Sequence, residues 1–380
     1  TANSNQMMME LMGVHLPGTA FVNPGTPLRE ALVRAAAMRC IELAKSGDRL
    51  FAHIVDERAF VNALVGLMAT GGSTNHALHI PAMAAAAGII IDWDDFSDVS
   101  GVTPLLARVY PNGSADVNMF HAAGGMAFLT RELLQAGLLH GDVLTNAGTG
   151  MADYAMEPWL DGEKLAWRPC TEKSLDKSIL RPVSEPFEVE GGIRLLKGSL
   201  GRGVIKISSV PPDRRRIDAP AAVFESQRDF SEAFKAGKLD RDVIVVVRFQ
   251  GPRANGMPEL HSLTPALTGL QNKGFRVALV TDGRMSGASG AVPAAIHVCP
   301  GADQESPLSR VMDGDRIVLD AEAGTLELMV APAELAQRRP APQPAAEAGW
   351  GRELFAPFRA LAIDPERGGG IFSAFTGAGV

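Results

Sequence analysis

The residues best suited to chemistry follow a predicted strand, in the segment RVALVTDGRMSGASG from Arg276 to Gly290. After the apolar strand, a turn of small residues presents the hydroxyl of Ser286 beside Gly287. Glycines in such a turn let backbone N–H groups approach a ligand, and a helix that starts after it favours an anion. A serine hydroxyl is a poor base unless cations stabilise its alkoxide. The alternative interpretation is an ordinary glycine-rich connection.

A second candidate is Glu259, in the loop QGPRANGMPEL from Gln250 to Leu260. Proline and glycine fix the loop, and the carboxylate precedes an apolar helix. Such a carboxylate suits Mg²⁺, a hard cation that prefers oxygen ligands and usually takes more than one carboxylate or substrate oxygen. The alternative is a first-turn glutamate that complements a helix dipole.

A third segment, GGSTNH from Gly71 to His76, precedes a predicted helix. The hydroxyl of Ser73 or Thr74 could cap that helix, whose first N–H groups would form an anion site. His76 and His79 share one helix face at a spacing compatible with a metal. Histidines without a carboxylate partner, however, more often pack or form hydrogen bonds.

A fourth segment is the polar loop NGSADVN from Asn112 to Asn118, which precedes His121. It could bind substrate hydroxyls or simply turn the chain, and the sequence leaves both interpretations open. Loops of this kind suit a polar, anionic small molecule. We predict that the substrate is bound by Ser73, Thr74, Asn75, His76, Asn118, Arg284 and Gly287.

The elements that must position these loops change in character along the chain. Up to about residue 182 the pattern is mostly helical, with a helix from Pro27 to Gly47, three more helices further on, and a short strand at Ile89–Ile91. The alternation of helices with β-branched runs favours a layered α/β domain. Cys40 follows the helical spacing of apolar neighbours, so we predict a core residue there.

The second half is predicted to be rich in strands. The runs are Val204–Ile207, Val243–Val247, Val277–Val280, and the hairpin formed by Arg316–Leu319 and Thr325–Met329. This pattern predicts a β-barrel or sandwich. We place the domains at residues 1–182 and 183–339, followed by a linker and a loosely specified tail over residues 340–380.

Composition excludes several classes of protein. The chain has 380 residues, is 46% apolar and carries a formal net charge of −7, which disfavours nucleic-acid binding. The longest uncharged apolar stretch, Ile80–Ile91, is too short to cross a bilayer. The three cysteines are widely separated, show no metal-ligand spacing and fit a reducing compartment.

Five motifs, in order, resemble the dihydroxy-acid dehydratase/6-phosphogluconate dehydratase family. They are TANSNQ (Thr1–Gln6), LMATGGSTNHALHI (Leu67–Ile80), NGSADVNMFHAAGGM (Asn112–Met126), GPRANGMPEL (Gly251–Leu260) and TDGRMSGASG (Thr281–Gly290). The similarity weakens only after about residue 340. The residues of the first, third and fourth motifs are similar to those of the family branch that acts on 6-phospho-D-gluconate.

The resemblance implies the dehydration of 6-phospho-D-gluconate to 2-dehydro-3-deoxy-6-phospho-D-gluconate, a step of the Entner–Doudoroff pathway. It implies an iron–sulfur cluster (4Fe–4S or 2Fe–2S) as Lewis acid on the C3 hydroxyl and Mg²⁺ at the carboxylate end. Ser286 matches the proposed base for the C2 proton, and Glu259 matches a Mg²⁺ ligand. The family further implies a cytoplasmic homodimer and a second domain of the swivelling, aconitase-like β-barrel type.

One departure bears on activity. The family's cluster cysteines lie in its N-terminal part, the last of them just before the TANSNQ stretch. Cys40, Cys170 and Cys299 do not match those positions, so we expect no cluster ligands in this chain. If these residues are the whole protein, we expect an inactive fragment.

Three other functions remain open on the sequence. They are a dehydratase for a non-phosphorylated sugar acid or a dihydroxy-acid, a non-catalytic anion-binding fragment, and a serine hydrolase. The last lacks a histidine and an acid near Ser286 in the sequence. Phosphate selectivity would need a cation, for which Arg248, Arg253 and Arg284 are candidates.

Overall fold

The computed structural model describes residues 1–285, 292–345, 349 and 351–371. The chain forms two compact units, one of Thr1–Ser73 with Asp98–Gly192 and one of Thr74–Ser97 with the chain from Ile193 onward. The division predicted at residue 182 therefore moves to Gly192. The segment that contains the predicted helix after Ser73 packs with the second unit.

The elements are numbered in chain order. The helices are α1 (Ala2–Leu11), α2 (Pro27–Ser46), α3 (Phe51–Ile54), α4 (Glu57–Ala69), α5 (His76–Ala86), α6 (Trp93–Val102), α7 (Val117–Ala122), α8 (Gly125–Gln135), α9 (Gln227–Lys235), α10 (Pro252–Asn255), α11 (Leu263–Asn272), α12 (Pro332–Gln337) and α13 (Ala356–Leu361). The strands are β1 (Met156–Asp161), β2 (Lys164–Pro169), β3 (Ile193–Gly198), β4 (Gly201–Lys206), β5 (Arg216–Phe224), β6 (Val243–Val247), β7 (Val277–Thr281), β8 (Ala294–Cys299), β9 (Arg316–Asp320) and β10 (Thr325–Leu328).

Local sequence signals set the helix ends of the first unit. Helix α2 begins where the hydroxyl of Thr26 accepts a hydrogen bond from the Arg29 backbone N–H at 3.2 Å. It ends at Gly47, which takes a φ of 68° that an L-residue rarely adopts. Helix α4 begins in the same way, with the carboxylate of Asp56 accepting from the Ala59 N–H. The predicted helix from Pro27 to Gly47 is confirmed.

The first unit is dominated by helices. Its described residues contain one sheet, the two-stranded antiparallel pair of β1 and β2. The layered α/β domain predicted for this half is thus represented within residues 1–192 by helices and this one small sheet.

Two local predictions are wrong. Residues 89–91 form no strand, and the side chain of Ile90 is 92% exposed. Cys40 is exposed. Leu32 is the one buried residue of α2, so the apolar residues that share a face with Cys40 do not form a buried face. Helical periodicity shows which residues share a face but not whether that face is covered.

The second unit is built on a closed eight-stranded barrel, in the order β10-β3-β4-β8-β7-β6-β5-β9. The chain from β5 to β8 forms parallel pairs, and the hairpin of β9 and β10 is antiparallel as predicted. All five residues of β6 and of β7 are buried. Strands buried on both faces read as nearly continuous apolar runs, which is why the sequence located them.

Two described residues near the C-terminus, Asp364 and Glu366, form ion pairs within the second unit. Arg202 of β4 forms ion pairs with Glu366 at 2.6 Å and with Asp94 at 2.7 Å. Arg253 pairs with Asp364 at 2.9 Å. These contacts tie Asp364 and Glu366 to other residues of the second unit. The linker and tail over residues 340–380 stay a prediction.

Among the described residues, no helix combines the length and the apolar character that crossing a bilayer requires.

A buried carboxylate organises the start of the first unit. Glu10 of α1 has no exposed surface, and its two oxygens accept hydrogen bonds from the backbone N–H groups of Gly18 at 2.7 Å and Ala20 at 3.0 Å. Burial raises the pKa of Glu10 to about 7, because desolvation of the charge outweighs these hydrogen bonds.

The stability of the protein should therefore depend on the ionisation of Glu10. The folded pKa of about 7 lies above the ordinary value of 4.5, so the stabilisation is complete below pH 4.5 and is lost as the pH rises through 7. In the wild type, Glu10 should make the unfolding free energy fall by about 3 kcal/mol as the pH rises from 4.5 to above 7, and Glu10→Gln should lack this fall. Urea denaturation at several pH values measures it.

Glu163→Gln, at an exposed position, is the control and should leave the pH profile unchanged. Parallel profiles for the wild type and Glu10→Gln would show that Glu10 does not titrate in this way.

Candidate functional site

The second unit brings two of the predicted segments to one edge of the barrel. Strands β6 and β7 are parallel neighbours, so the chains that leave their carboxyl ends emerge side by side. Glu259, after β6, forms a parallel bridge with Arg284, after β7. The Leu260 N–H donates to the Arg284 carbonyl at 3.1 Å. This edge is where α/β sheets commonly bind ligands.

An ion pair links the two segments. Arg284 Nη1 lies 2.7 Å from Glu259 Oε2, and Arg284 Nε donates to the carbonyl of Met257 at 2.8 Å. Both side chains are more than two-thirds buried, at 29% and 25% exposed. The guanidinium is thus fixed at two points, which orients the carboxylate of Glu259.

The segment before α5 reaches the same place. The hydroxyl of Thr74 donates to the carbonyl of Met285 at 3.0 Å, and the amide of Asn75 donates to Glu259 Oε2 at 3.4 Å. The predicted capping of the helix by Ser73 or Thr74 is wrong, since α5 has Asn75 at its N-cap and no side-chain cap. The Thr74 hydroxyl is used instead to hold the chain after β7.

The carboxylate of Asp282 fastens three loops together. It accepts hydrogen bonds from the backbone N–H groups of Phe249 at 3.1 Å, Gln250 at 2.9 Å and Ala302 at 3.0 Å. Asp282 is fully buried, and burial raises its pKa to about 6. These three donors follow β6 and β8, so this one side chain fixes the loops around the Glu259–Arg284 pair.

Gly283 explains part of the TDGRMSGASG motif. A Cβ atom there would lie 2.7 Å from Gln250 Cβ and 2.8 Å from Leu260 Cδ1, distances that real side chains do not occupy. Glycine is therefore required for the two loops to approach each other.

The second unit contains four histidines, of which His76, His79 and His297 bear on the site. The rings of His76 and His79 meet edge to face with centroids 5.5 Å apart, as their helical spacing predicts. Burial lowers the pKa of His79, and the charge of Arg284 lowers it further. His297 of β8 is fully buried, and its ring centroid lies 6.2 Å from that of Trp93. Neither His297 nor Asp282 was predicted to be a site residue from the sequence.

Two predicted site residues belong to the first unit. The hydroxyl of Ser73 is 2.9 Å from that of Thr1, and the Ser73 N–H donates to Ser4 Oγ, so the TANSNQ and GGS motifs are neighbours. Asn118 is exposed in the first turn of α7, where its N–H donates to the capping carboxylate of Asp116. These contacts support local structure and do not test substrate binding.

The other arginines proposed for a phosphate make internal contacts. Arg248 donates to the carbonyls of Ser309 and Val311 and pairs with Glu225 at 3.1 Å. Arg253 pairs with Asp303 at 2.8 Å as well as with Asp364. Ser286 and Gly287 lie outside the described residues.

The described residues fit the two predicted cofactors differently. Glu259 offers a carboxylate that neighbouring groups orient, which suits one ligand of Mg²⁺ beside substrate and water oxygens. No group of three or more His, Cys, Asp or Glu residues that could hold a metal is found in the described part of the chain. Cys40 is exposed, and burial raises the pKa of Cys299 to about 12, which disfavours a ligating thiolate. These cysteines do not fit an iron–sulfur cluster.

Comparison with known proteins gives a consistent result. The N-terminal model of the dihydroxy-acid/6-phosphogluconate dehydratases matches residues 1–154, and the C-terminal model matches residues 178–369. A phosphogluconate dehydratase of Pseudomonas aeruginosa is 55% identical over 98% of this chain and 62% of its own length. That of Zymomonas mobilis is 55% identical over 100% of the chain and 63% of its length. A dihydroxy-acid dehydratase of Nitratidesulfovibrio vulgaris is 37% identical over 89% of the chain and 59% of its length. The chain thus spans less than two-thirds of these relatives.

Removal of the Asp282 carboxylate should loosen the site and destabilise the protein. Asp282→Ala would leave three buried N–H groups without an acceptor, and we expect a loss of about 3 kcal/mol of unfolding free energy. Urea denaturation measures it.

The matched control is Asp240→Ala, which removes a largely solvent-exposed pair with Lys273 and should cost less than about 1 kcal/mol. Equal losses in the two variants would mean that Asp282 does not fasten these loops.

Proposed function

Because the chain belongs to the dihydroxy-acid/6-phosphogluconate dehydratase family, we propose that the protein dehydrates 6-phospho-D-gluconate to 2-dehydro-3-deoxy-6-phospho-D-gluconate. The identity of 55% to phosphogluconate dehydratases, against 37% to a dihydroxy-acid dehydratase, favours this substrate. The observation that carries the proposal is the convergence of three motifs on Glu259 and Arg284. It supports a site at the barrel edge that could bind a substrate carboxylate with metal assistance.

The reaction sets clear demands on the site. A base takes the C2 proton, the electron pair forms the C2–C3 double bond, and the C3 hydroxyl leaves and is protonated to water. The resulting enol then becomes the 2-keto product. A proton alpha to a carboxylate is only weakly acidic, so positive charge must stabilise both the developing enolate and the leaving hydroxide.

The residues of this chain meet part of that demand. Glu259 would hold Mg²⁺, which when bound supplies positive charge at the substrate carboxylate. Arg284 orients Glu259 and adds a fixed cation, and Thr74 holds the carbonyl of Met285, the residue before Ser286. We propose Ser286 as the base that takes the C2 proton, with these cations favouring its alkoxide.

An iron–sulfur cluster on the C3 hydroxyl belongs to the proposal on family resemblance alone. The described residues of this chain contain no group of three or more ligands that could hold it.

Substrate choice tests the proposal. The whole enzyme, replete with its cofactors, should turn over 6-phospho-D-gluconate with a kcat/KM at least about 100-fold above that for D-gluconate, because each charged contact to a phosphate is worth on the order of 2 kcal/mol. Steady-state assays of 2-keto acid formation measure this ratio. A dihydroxy-acid of branched-chain amino-acid synthesis serves as the third substrate.

Equal kcat/KM for the phosphorylated and unphosphorylated sugar acids would remove the phosphate from the proposal. Faster turnover of the dihydroxy-acid would favour the other branch of the family.

The base assignment is tested by Ser286→Ala in the same replete enzyme. Loss of a positioned base should lower kcat by about 100-fold or more with little change in KM. Ser231→Ala on α9 is the control, since its hydroxyl bonds within its own helix and should leave kcat unchanged. Turnover of Ser286→Ala at the wild-type rate would assign the proton transfer to another group.

A further inference from the structure

His297 lies at an irregular point of strand β8. In the pairing with β4, Val204 faces Ile296 and Arg202 faces Cys299, so two steps along β4 match three along β8. His297, inside this bulge, takes a φ of 57°, which few residues other than glycine adopt. Bulges re-aim side chains and recur next to functional sites, where such strain is tolerated.

The bulge directs a buried imidazole that lacks hydrogen bonds. The side chain has no exposed surface, and neither Nδ1 nor Nε2 has a partner among the described residues. The ring of Trp93 lies beside His297 but gives it no hydrogen bond, because the indole N–H already donates to the Ala77 carbonyl at 2.8 Å. Buried polar atoms are nearly always satisfied, so two such nitrogens on one side chain point to a group that binds there.

His297 belongs to the same site as Arg284. Its backbone N–H donates to the carbonyl of Gly283 at 2.9 Å, directly before Arg284 in the chain. Burial lowers the pKa of His297 to about 3, with smaller contributions from His79 and Arg284. The ring is therefore neutral at physiological pH and offers one donor and one acceptor. Hydroxyl groups, which both donate and accept, match either nitrogen.

We propose that His297 is a substrate-binding residue of the site formed by Glu259 and Arg284, hydrogen-bonded to the C4 or C5 hydroxyl of the sugar acid. This inference rests on the proposed function. It gives the bulge in β8 a role, because a regular strand would turn the side chain at this position elsewhere. The contact concerns binding, and the proton transfer stays with Ser286.

Two variants remove the contact in different ways. His297→Phe keeps an aromatic ring against Trp93 but loses both nitrogens, and Phe249 shows that this unit accommodates phenylalanine at a φ of 62°. His297→Gly relieves the backbone strain and also loses the nitrogens. In the replete whole enzyme each should raise the KM for 6-phospho-D-gluconate about 3- to 10-fold, the usual effect of one hydrogen bond. His53→Phe, at an exposed position, is the control and should leave KM unchanged.

Deoxy analogues separate binding from a structural effect. We would measure inhibition by 4-deoxy- and 5-deoxy-6-phosphogluconate in the wild type and in either folded variant. If His297 binds one of these hydroxyls, the analogue that lacks this hydroxyl should bind the wild type more weakly than the corresponding analogue that keeps it. In the variant, which has already lost the contact, the two analogues should bind equally well. This double-mutant comparison measures the interaction between one side chain and one hydroxyl. A general loss of packing would weaken the binding of all analogues alike.

The outcomes are distinct. Wild-type KM values in both variants, or equal penalties for every analogue in wild type and variant, would overturn the assignment of His297. A wild-type enzyme that turns over no 6-phospho-D-gluconate would overturn the proposed function itself.

Discussion

The arrangement at the edge of the barrel depends on one buried carboxylate. Asp282 directly follows β7, and its oxygens accept N–H groups from the loops after β6 and β8. Removing a charge from water is costly. The buried carboxylate is tolerated because three N–H donors converge on it. Its position fixes where the chain leaves β7. The backbone of Arg284, two residues further on, is therefore held in place by the protein itself.

The polar contacts extend outward from that point. Arg284 fixes Glu259 from one side and Asn75 approaches the same oxygen from α5, while Thr74 holds the carbonyl of Met285. Each contact joins residues far apart in sequence, so the site is preorganised by the fold rather than by one loop. Preorganised charge is the form of electrostatic stabilisation that the proposed enolate chemistry would need, since little energy is then spent on reorganising dipoles.

Much of this architecture could be predicted from the sequence. Val243–Val247 could be predicted as a strand because a parallel strand that is buried on both faces reads as a continuous apolar run, here of valine and isoleucine. Thr26 and Gly47 mark the ends of α2 through local hydrogen bonding and backbone freedom. Cys40 and Ile90 were mispredicted because their burial depends on which neighbours pack against them, and spacing along the chain does not contain that information.

His297 illustrates a further limit of sequence patterns. In AAIHVC it is one polar residue in an apolar strand, which a pattern reads as an interruption. Its conformation is set by the pairing of β8 with β4, and the bulge exists because that register shifts between Arg202 and Val204. A register is a property of two strands distant in sequence, so neither strand alone encodes it. The orphaned nitrogens matter only once that pairing is known, because in a regular exposed strand they would be solvated.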